Sequence, residues 1–122
     1  MLIAEAKANC ANYVEFSNIR LADLSTGTFS DVIENGVDQT APLADVARAV
    51  DLAQAQGLSV MLKPQVAVHD PAYDQYNSAP WINMVNPALT IAEPARFFAN
   101  YKTELLQRAN LAEQHHVALL SI

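Results

Sequence analysis

The stretch Thr40–Pro64, TAPLADVARAVDLAQAQGLSVMLKP, predicts a helix followed at once by a buried strand. Apolar residues recur at three- and four-residue spacing before Gly57, as on one face of an amphipathic helix. Thr40 is the predicted N-cap, and Pro42 falls in the first turn, where its missing N–H costs nothing. Gly57 suits the left-handed position that ends a helix. The apolar run at 58–62 is typical of a strand buried on both faces in a parallel sheet.

The same order of helix and strand occurs twice more. Residues 93–114 predict a second helix, which is followed by a predicted strand at 117–122. At the front, residues 2–7 resemble the end of a helix, and residues 12–16 predict a third strand. Helix and strand therefore alternate three times, as in an α/β fold with parallel strands. We expect a single α/β domain over residues 1–122.

Two long connections, 17–39 and 65–92, follow the carboxyl ends of the first two predicted strands. Ligands of α/β folds bind at that end of the sheet, so we expect any binding site there. Unstructured connections beyond about 15 residues are uncommon unless they are functional or disordered. The last predicted strand, 117–122, has no charged residue to protect a sheet edge. We therefore expect the chain to belong to something larger, either covalently or by assembly.

Composition and charge limit the classes of partner. The 122 residues carry a net charge of −6 and the pI is near 4.8, which argues against nucleic acid and against an anionic membrane surface. The single cysteine, Cys10, excludes an internal disulfide, and we expect its thiol to be buried and inert. No apolar run reaches the roughly 18 residues of a membrane helix. Glu5 and Lys7 interrupt the N-terminal stretch, so no signal peptide is predicted and the default location is cytoplasmic.

Residues 53–68, AQAQGLSVMLKPQVAV, resemble the third-strand region of glycoside hydrolase family 113, whose members are β-mannanase-like enzymes with a (β/α)8 barrel. In that family a helix ends in Gly-Leu, and the strand reads Val-Met-Leu-Lys-Pro-His-Val-Asp. Trp81 takes the family's loop position, FFANY at 97–101 its aromatic helix, and LLSI at 119–122 its fourth strand. The resemblance implies a partial TIM barrel, from the first helix to the fourth strand. Its three parallel strands alternate with helices, and we expect self-association to complete it.

The sequence departs from the family pattern at the catalytic and substrate-contact positions. In the family the general acid/base is a Glu just past the Ser-Ile of the fourth strand, and the nucleophilic Glu lies on a later strand. The resemblance therefore implies that both catalytic glutamates lie beyond Ile122, and retaining glycosidases need both. Gln65 stands where the family usually has His, and Ala67 where it has Asp.

These observations lead to two alternative functions. The first is a truncated glycoside-hydrolase-like fragment that lacks the catalytic pair and acts as a self-associating homo-oligomeric module with weak carbohydrate binding. The alternative is the N-terminal part of an active β-mannanase-like glycoside hydrolase. A Schiff-base lyase that uses Lys63 is a weaker third class, because nothing else in the sequence indicates aldolase chemistry. We expect no cofactor and no metal.

The predicted substrate-binding residues lie near the carboxyl ends of strands or in the long connection after Lys63: Glu15, Lys63, Gln65, His69, Asp70, Trp81 and Asn83. Aromatic rings cover the C–H faces of sugars, while amide, carboxylate and imidazole groups hydrogen-bond their hydroxyls. An ordinary long connection, with Trp81 packed against it, is the commoner explanation of such a composition.

Several of these residues have simpler alternatives. We expect Glu15 to pair with Lys63 or Arg20 rather than to act as a catalyst. His69, Asp70 and Asp74 could ligate a metal, but the signal is weak without a second histidine. The pair His115-His116 is expected at a solvated helix end, where the helix dipole favours imidazoles.

Overall fold

The computed structural model describes residues 2–34, 36–68 and 91–122, which form three helices and six strands. In chain order these are α1 (Leu2–Ala8), β1 (Tyr13–Asp23), β2 (Thr28–Ser30), β3 (Ile33–Glu34), β4 (Val37–Asp38), α2 (Leu43–Ala55), β5 (Ser59–Val68), α3 (Pro94–Gln114) and β6 (Leu119–Leu120). The three predicted helices and the three predicted strands are all present. Both β1 and β5 extend beyond their predicted carboxyl ends. None of the described helices is long and apolar enough to cross a membrane.

The larger sheet is mixed and has the strand order β2-β1-β5-β6. β5 and β6 are parallel, with Met61 opposite Leu119. At the start of β5, Ser59 N donates to Asn12 O over 2.8 Å, which places the beginnings of β1 and β5 side by side, as parallel strands require. β2 runs antiparallel to the end of β1. The sheet thus contains an antiparallel strand in addition to the predicted parallel ones.

The connection predicted at 17–39 contains further strands among its described residues. β1 continues to Asp23 and turns back as β2, and β3 and β4 form a separate antiparallel pair in which Ile33 lies opposite Asp38. Gly27 and Gly36 have φ angles of +66° and +76° in the two turns, a left-handed backbone that glycine adopts without steric cost. The prediction missed these strands because they are only two or three residues long, too short for a periodic pattern.

The chain divides into two compact units. The first contains the stretches up to Asn18, from Ala41 to Pro64 and from Leu105 to Ile122. Its core is made by buried residues of α2, β5 and α3, against which apolar side chains of α1, β1 and β6 pack. The predicted apolar face of α2 is confirmed, since its inward residues include Val46, Val50 and Ala53.

The second unit contains Ile19–Thr40 and the described part of Gln65–Glu104. Its apolar contacts centre on Phe29 of β2, whose ring centroid lies 5.3 Å from that of Phe97 and 6.1 Å from that of Tyr101 on α3. The Asn100 side chain of α3 donates to Gly27 O over 2.7 Å. These contacts join the first half of α3 to the β1–β2 turn.

Thr40 is not the N-cap of α2. Pro42 occupies that position, and no side-chain hydrogen bond caps the helix. The buried Thr40 hydroxyl instead donates to Ile19 O over 2.9 Å and accepts from Val32 N over 2.8 Å. A buried hydroxyl that makes both bonds is satisfied, and these bonds compete with the capping role that the sequence predicts.

Cys10 follows α1 in a strained backbone conformation. Its φ of 61° is left-handed, and its N–H donates to Lys7 O over 3.0 Å, as at the end of a helix. The expectation of a buried thiol is wrong, because Cys10 is exposed.

Cys10→Gly is expected to raise the free energy of unfolding by about 0.5 kcal/mol. Relief of a left-handed non-glycine residue contributes about 1–2 kcal/mol, and the greater entropy of glycine in the unfolded chain offsets about 0.5–1 kcal/mol of it. Cys10→Ala retains a Cβ and serves as the control, which we expect to change little. Urea denaturation of both variants measures the difference, and an equal gain in both would contradict the backbone explanation.

The turn after β1 is held by the carboxylate of Asp23. Its Oδ1 accepts from Ser25 Oγ over 2.6 Å, from Ser25 N over 2.8 Å and from Thr26 N over 3.3 Å. The hydrogen bonds from Ser25, followed by those from Thr26, lower the pKa of Asp23 from 3.8 to about 2.

This lowered pKa predicts a defined pH dependence. Because the folded-state pKa lies below the unfolded value, the ionised carboxylate stabilises the fold above about pH 4. That contribution is lost as the pH falls from about 4 to about 2. The difference in Tm between the wild type and Asp23→Ala should therefore be constant from pH 7 to 4 and shrink towards pH 2. A difference that persists unchanged at pH 2 would exclude this role of the charge.

Candidate functional site

The sheet of the first unit has one face packed by helices and one exposed face. On β1, Val14 and Phe16 pack against the core, while Tyr13, Glu15 and Ser17 alternate with them and are exposed. On β5, Val60 and Leu62 are buried. The residues that alternate with them are partly exposed: Ser59, Met61 and Lys63. Since successive side chains of a strand point to opposite sides, the exposed residues of β1 and β5 share one face.

Glu15 and Lys63 form an ion pair on this exposed face. Lys63 Nζ lies 3.8 Å from Glu15 Oε1, and Ser17 Oγ donates to the same oxygen over 3.1 Å. The two side chains are 38% and 44% exposed, for Glu15 and Lys63 respectively. The prediction that Glu15 pairs with Lys63 or Arg20 is confirmed for Lys63. An exposed pair at this separation stabilises by about 1 kcal/mol or less, so the pair does not prevent either group from binding a ligand.

Arg20, the other cation considered for Glu15, pairs with acidic residues of the second unit. Its guanidinium forms an ion pair with Asp31, and its Nε lies 3.2 Å from Glu104 Oε2. Arg20 thereby links β1 to α3 within that unit. Sequence reasoning missed the pair with Glu104, because no local pattern connects residues that lie 84 positions apart.

The structure tests the remaining predicted site residues only in part. Gln65 is half-buried in β5 and belongs to the second unit. Four further predicted residues lie outside the described part of the chain: His69, Asp70, Trp81 and Asn83. Asp74, which the sequence offers as a possible metal ligand, lies outside it as well. The structure therefore brings Glu15 and Lys63 together, and the rest of the predicted site stays a prediction.

A family model described as Glycoside Hydrolase Family 113 matches residues 3–122. The chain belongs to glycoside hydrolase family 113. The resemblance seen in the Met-Leu-Lys-Pro run at 61–64 is thereby confirmed over nearly the whole sequence. Comparisons with curated proteins and with solved structures each gave no significant match.

The fold of family 113 is a TIM barrel, and this fold indicates which side of the barrel the exposed sheet face corresponds to. Helices surround the outside of the strands in such a barrel, so the face opposite the helices corresponds to the barrel interior. Glu15 and Lys63 are on that face; Glu15 is the third of the eleven residues of β1, and Lys63 is the fifth of the ten residues of β5. TIM-barrel active sites lie at the carboxyl ends of the strands. Five residues of β5 follow Lys63 and eight residues of β1 follow Glu15, so neither residue lies at the carboxyl end of its strand, where the sequence places them.

The environment of Lys63 does not favour Schiff-base chemistry. A nucleophilic lysine needs desolvation or a neighbouring cation to deliver a neutral amine near neutral pH. Lys63 is instead 44% exposed, and its Nζ lies 3.8 Å from a carboxylate oxygen rather than beside a cation in a dry pocket. Lys63 is therefore better suited to donating hydrogen bonds than to forming a covalent intermediate.

The other ionisable clusters of the described residues have structural roles. His115 Nδ1 lies 2.7 Å from Asp51 Oδ1, and Gln54 Nε2 donates to His115 O over 2.8 Å at the end of α3. These contacts tie α3 to α2, consistent with the predicted helix end. Within the part of the chain that the structure describes, no group of three or more His, Cys, Asp or Glu residues is arranged to hold a metal ion.

Proposed function

We propose that this family 113 chain is a self-associating barrel module that contacts carbohydrate through Glu15 and Lys63. The observation that carries the proposal is the exposed sheet face of the first unit, on which these two groups form a solvent-accessible ion pair. Family membership supports a carbohydrate as the ligand.

The chemistry of the pair suits neutral sugars. A lysine ammonium has three N–H donors, and a carboxylate accepts through two oxygens, so both retain hydrogen-bonding capacity beyond their mutual contact. Sugar hydroxyls donate and accept, and can therefore bridge the two groups. Because Glu15 and Lys63 lie on neighbouring strands rather than on loops, their spacing is well defined. The opposite charges compensate, so the pair does not select for an anionic ligand.

The exposed apolar residues of the first unit support self-association. Tyr13 on β1 and Leu119 on β6 are 51% and 50% exposed. Large apolar side chains at the surface of a sheet often mark an interface with another chain. A second copy of the chain would remove these two side chains from water.

The carbohydrate contact is tested with mannotriose, a probe chosen because the family resemblance is to β-mannanase-like enzymes. We expect the amide NMR signals of β1 and β5 to shift on titration of the 122-residue chain. Lys63→Met and Glu15→Gln should each weaken binding about tenfold, because a hydrogen bond to a charged group contributes about 1.5 kcal/mol or more.

Matched controls make this experiment specific. Lys102→Met and Glu113→Gln make the same substitutions at exposed positions of α3 and should leave binding unchanged. Absence of shifts in the wild type would refute carbohydrate binding. Equal weakening in the variants and their controls would exclude the Glu15–Lys63 pair as the binding groups.

Self-association is tested by light scattering over a concentration series. We expect a defined multiple of the 13.3 kDa chain mass that survives dilution. A monomer at all concentrations would overturn the assembly part of the proposal.

A second candidate function is favoured by the family match. In this alternative the chain is the N-terminal part of an active β-mannanase-like hydrolase, to which Glu15 and Lys63 contribute substrate contacts. Reducing sugar released from β-mannan distinguishes the two. We expect none from the 122-residue chain, whereas a reading frame that continues past Ile122 into Gly-Thr-Glu and encodes an active enzyme would favour the second candidate.

A further inference from the structure

The carboxylate of Glu15 makes its polar contacts with described residues through one oxygen. Oε1 accepts a hydrogen bond from Ser17 Oγ over 3.1 Å, and Lys63 Nζ lies 3.8 Å from the same atom. Within the described part of the chain, no hydrogen bond or ion pair involves Oε2 of Glu15. One carboxylate oxygen is thus held by the protein, while the other keeps its full capacity to accept hydrogen bonds.

Of these two contacts, the one from Ser17 is the hydrogen bond. The 3.1 Å between Ser17 Oγ and Glu15 Oε1 lies at the long end of the hydrogen-bonding range, whereas 3.8 Å from Lys63 Nζ exceeds it. An ionised carboxylate only accepts, so the Ser17 hydroxyl is the donor. Hydrogen bonds to a charged acceptor are stronger than those between neutral groups. Ser17 therefore restrains Glu15 more than the exposed ion pair does.

The geometry of the strand places Ser17 for this role. Residues 15 and 17 of β1 are two positions apart, so their side chains point to the same side of the sheet. The serine side chain is short, and its oxygen stays close to a backbone that β5 holds in the sheet. Glutamate, by contrast, has many rotamers and loses much freedom when it is ordered. The hydrogen bond from Ser17 therefore selects among the rotamers of Glu15.

We propose that Ser17 is a positioning residue for the carbohydrate contact at Glu15 and Lys63. Its hydroxyl holds Oε1, so that Oε2 accepts from one sugar hydroxyl while the Lys63 ammonium donates to a neighbouring oxygen of the same sugar. The ligand thus carries a donor and an acceptor side by side, as the hydroxyl groups of neutral hexoses do. Ordering Glu15 in advance raises affinity, because binding no longer has to immobilise its side chain. This inference rests on the proposed carbohydrate contact.

The first test separates the Ser17 hydroxyl from the shape of the side chain. Ser17→Thr keeps the hydroxyl, Ser17→Val replaces it with a methyl group, and both new residues suit a strand. Mannotriose titrations are followed by the amide NMR signals of β1 and β5. We expect Ser17→Val to bind about fivefold more weakly, the effect of one side chain that binding must order, and Ser17→Thr to bind like the wild type. Thr103→Val makes the same hydroxyl-to-methyl change at an exposed position of α3 and should leave binding unchanged.

The second test measures the order of Glu15 in the absence of sugar. Three-bond couplings across the χ1 and χ2 torsions of Glu15 report its rotamer populations. One rotamer should dominate in the wild type and in Ser17→Thr, whereas several should be averaged in Ser17→Val. The dispersion of the other β1 amide signals, recorded in the same samples, distinguishes this local change from a loss of the fold.

The third test determines whether Ser17 acts through Glu15. Glu15→Met removes both carboxylate oxygens, and we expect it to bind mannotriose about tenfold more weakly than the wild type. In that background Ser17→Val should cause no further loss, because the group that Ser17 positions is absent. A further loss of about fivefold in the double variant would mean that the Ser17 hydroxyl contacts the sugar itself, and would overturn the positioning role.

The outcomes separate this inference from the proposed function. A wild type without mannotriose-induced shifts would overturn the carbohydrate contact and the role of Ser17 together. Equal binding by Ser17→Thr and Ser17→Val would overturn the positioning role alone. So would Glu15 couplings that are averaged to the same extent in the wild type and in both Ser17 variants.

Discussion

Gly27→Ala is expected to lower the free energy of unfolding by about 3 kcal/mol. Gly27 has a φ of +66°, and a Cβ built on it would lie 2.8 Å from Phe97 N and 3.1 Å from Phe97 Cα. The left-handed conformation costs a non-glycine residue about 1–2 kcal/mol. The clash adds about 1–3 kcal/mol, because the neighbour is helix backbone that cannot rotate away.

Gly36 provides a matched control for this substitution. Its φ of +76° is similar, but a Cβ there would meet no described atom within 4 Å. Gly36→Ala should therefore cost only about 1 kcal/mol, from backbone strain alone. Chemical denaturation of both variants isolates the packing contribution as their difference. Equal losses would show that the approach of Phe97 to Gly27 is not a close contact in solution.

Asn18→Ala is expected to destabilise the protein by about 3 kcal/mol. The Asn18 side chain is 1% exposed, and its Oδ1 accepts from Nε of Arg108, which is itself 4% exposed. Its Nδ2 donates to Ala41 O over 2.8 Å. Truncation removes one acceptor from a buried cation and one donor from a backbone carbonyl, and each buried hydrogen bond that is lost costs about 1–3 kcal/mol.

Asn9→Ala makes the same substitution in an exposed setting. Asn9 Nδ2 donates to Glu5 O over 2.9 Å, where water can replace the lost bond. We expect a loss of about 0.5 kcal/mol or less, in line with surface substitutions. The two unfolding curves, recorded under the same conditions, measure the contribution of burial. A loss at Asn18 no larger than that at Asn9 would mean that water reaches the Arg108 guanidinium.

The pairing of Glu15 with Lys63 was predictable from the sequence, because it depends on the alternation of side chains along each strand. The sequence places Glu15 in one strand and Lys63 near the end of another, and their pairing follows once those strands are neighbours. The position of Gln65 was not predicted, because β5 continues past Lys63 to Val68 where the sequence predicts a connection. Ser17 was missed, although its alternation with Glu15 could have placed it on the same face.

By itself, the sequence determined the alternation of helices and strands and the family to which the chain belongs. The apolar spacing in α2 and the unbroken apolar run in β5 depend on neighbouring residues, so they can be recognised locally. Only the tertiary structure decided the partners of Thr40, Arg20 and Arg108. Arg108 and Asn18 are 90 positions apart, and their contact exists because α3 packs beside β1 within one unit. Such contacts depend on the path of the whole chain, which no local pattern specifies.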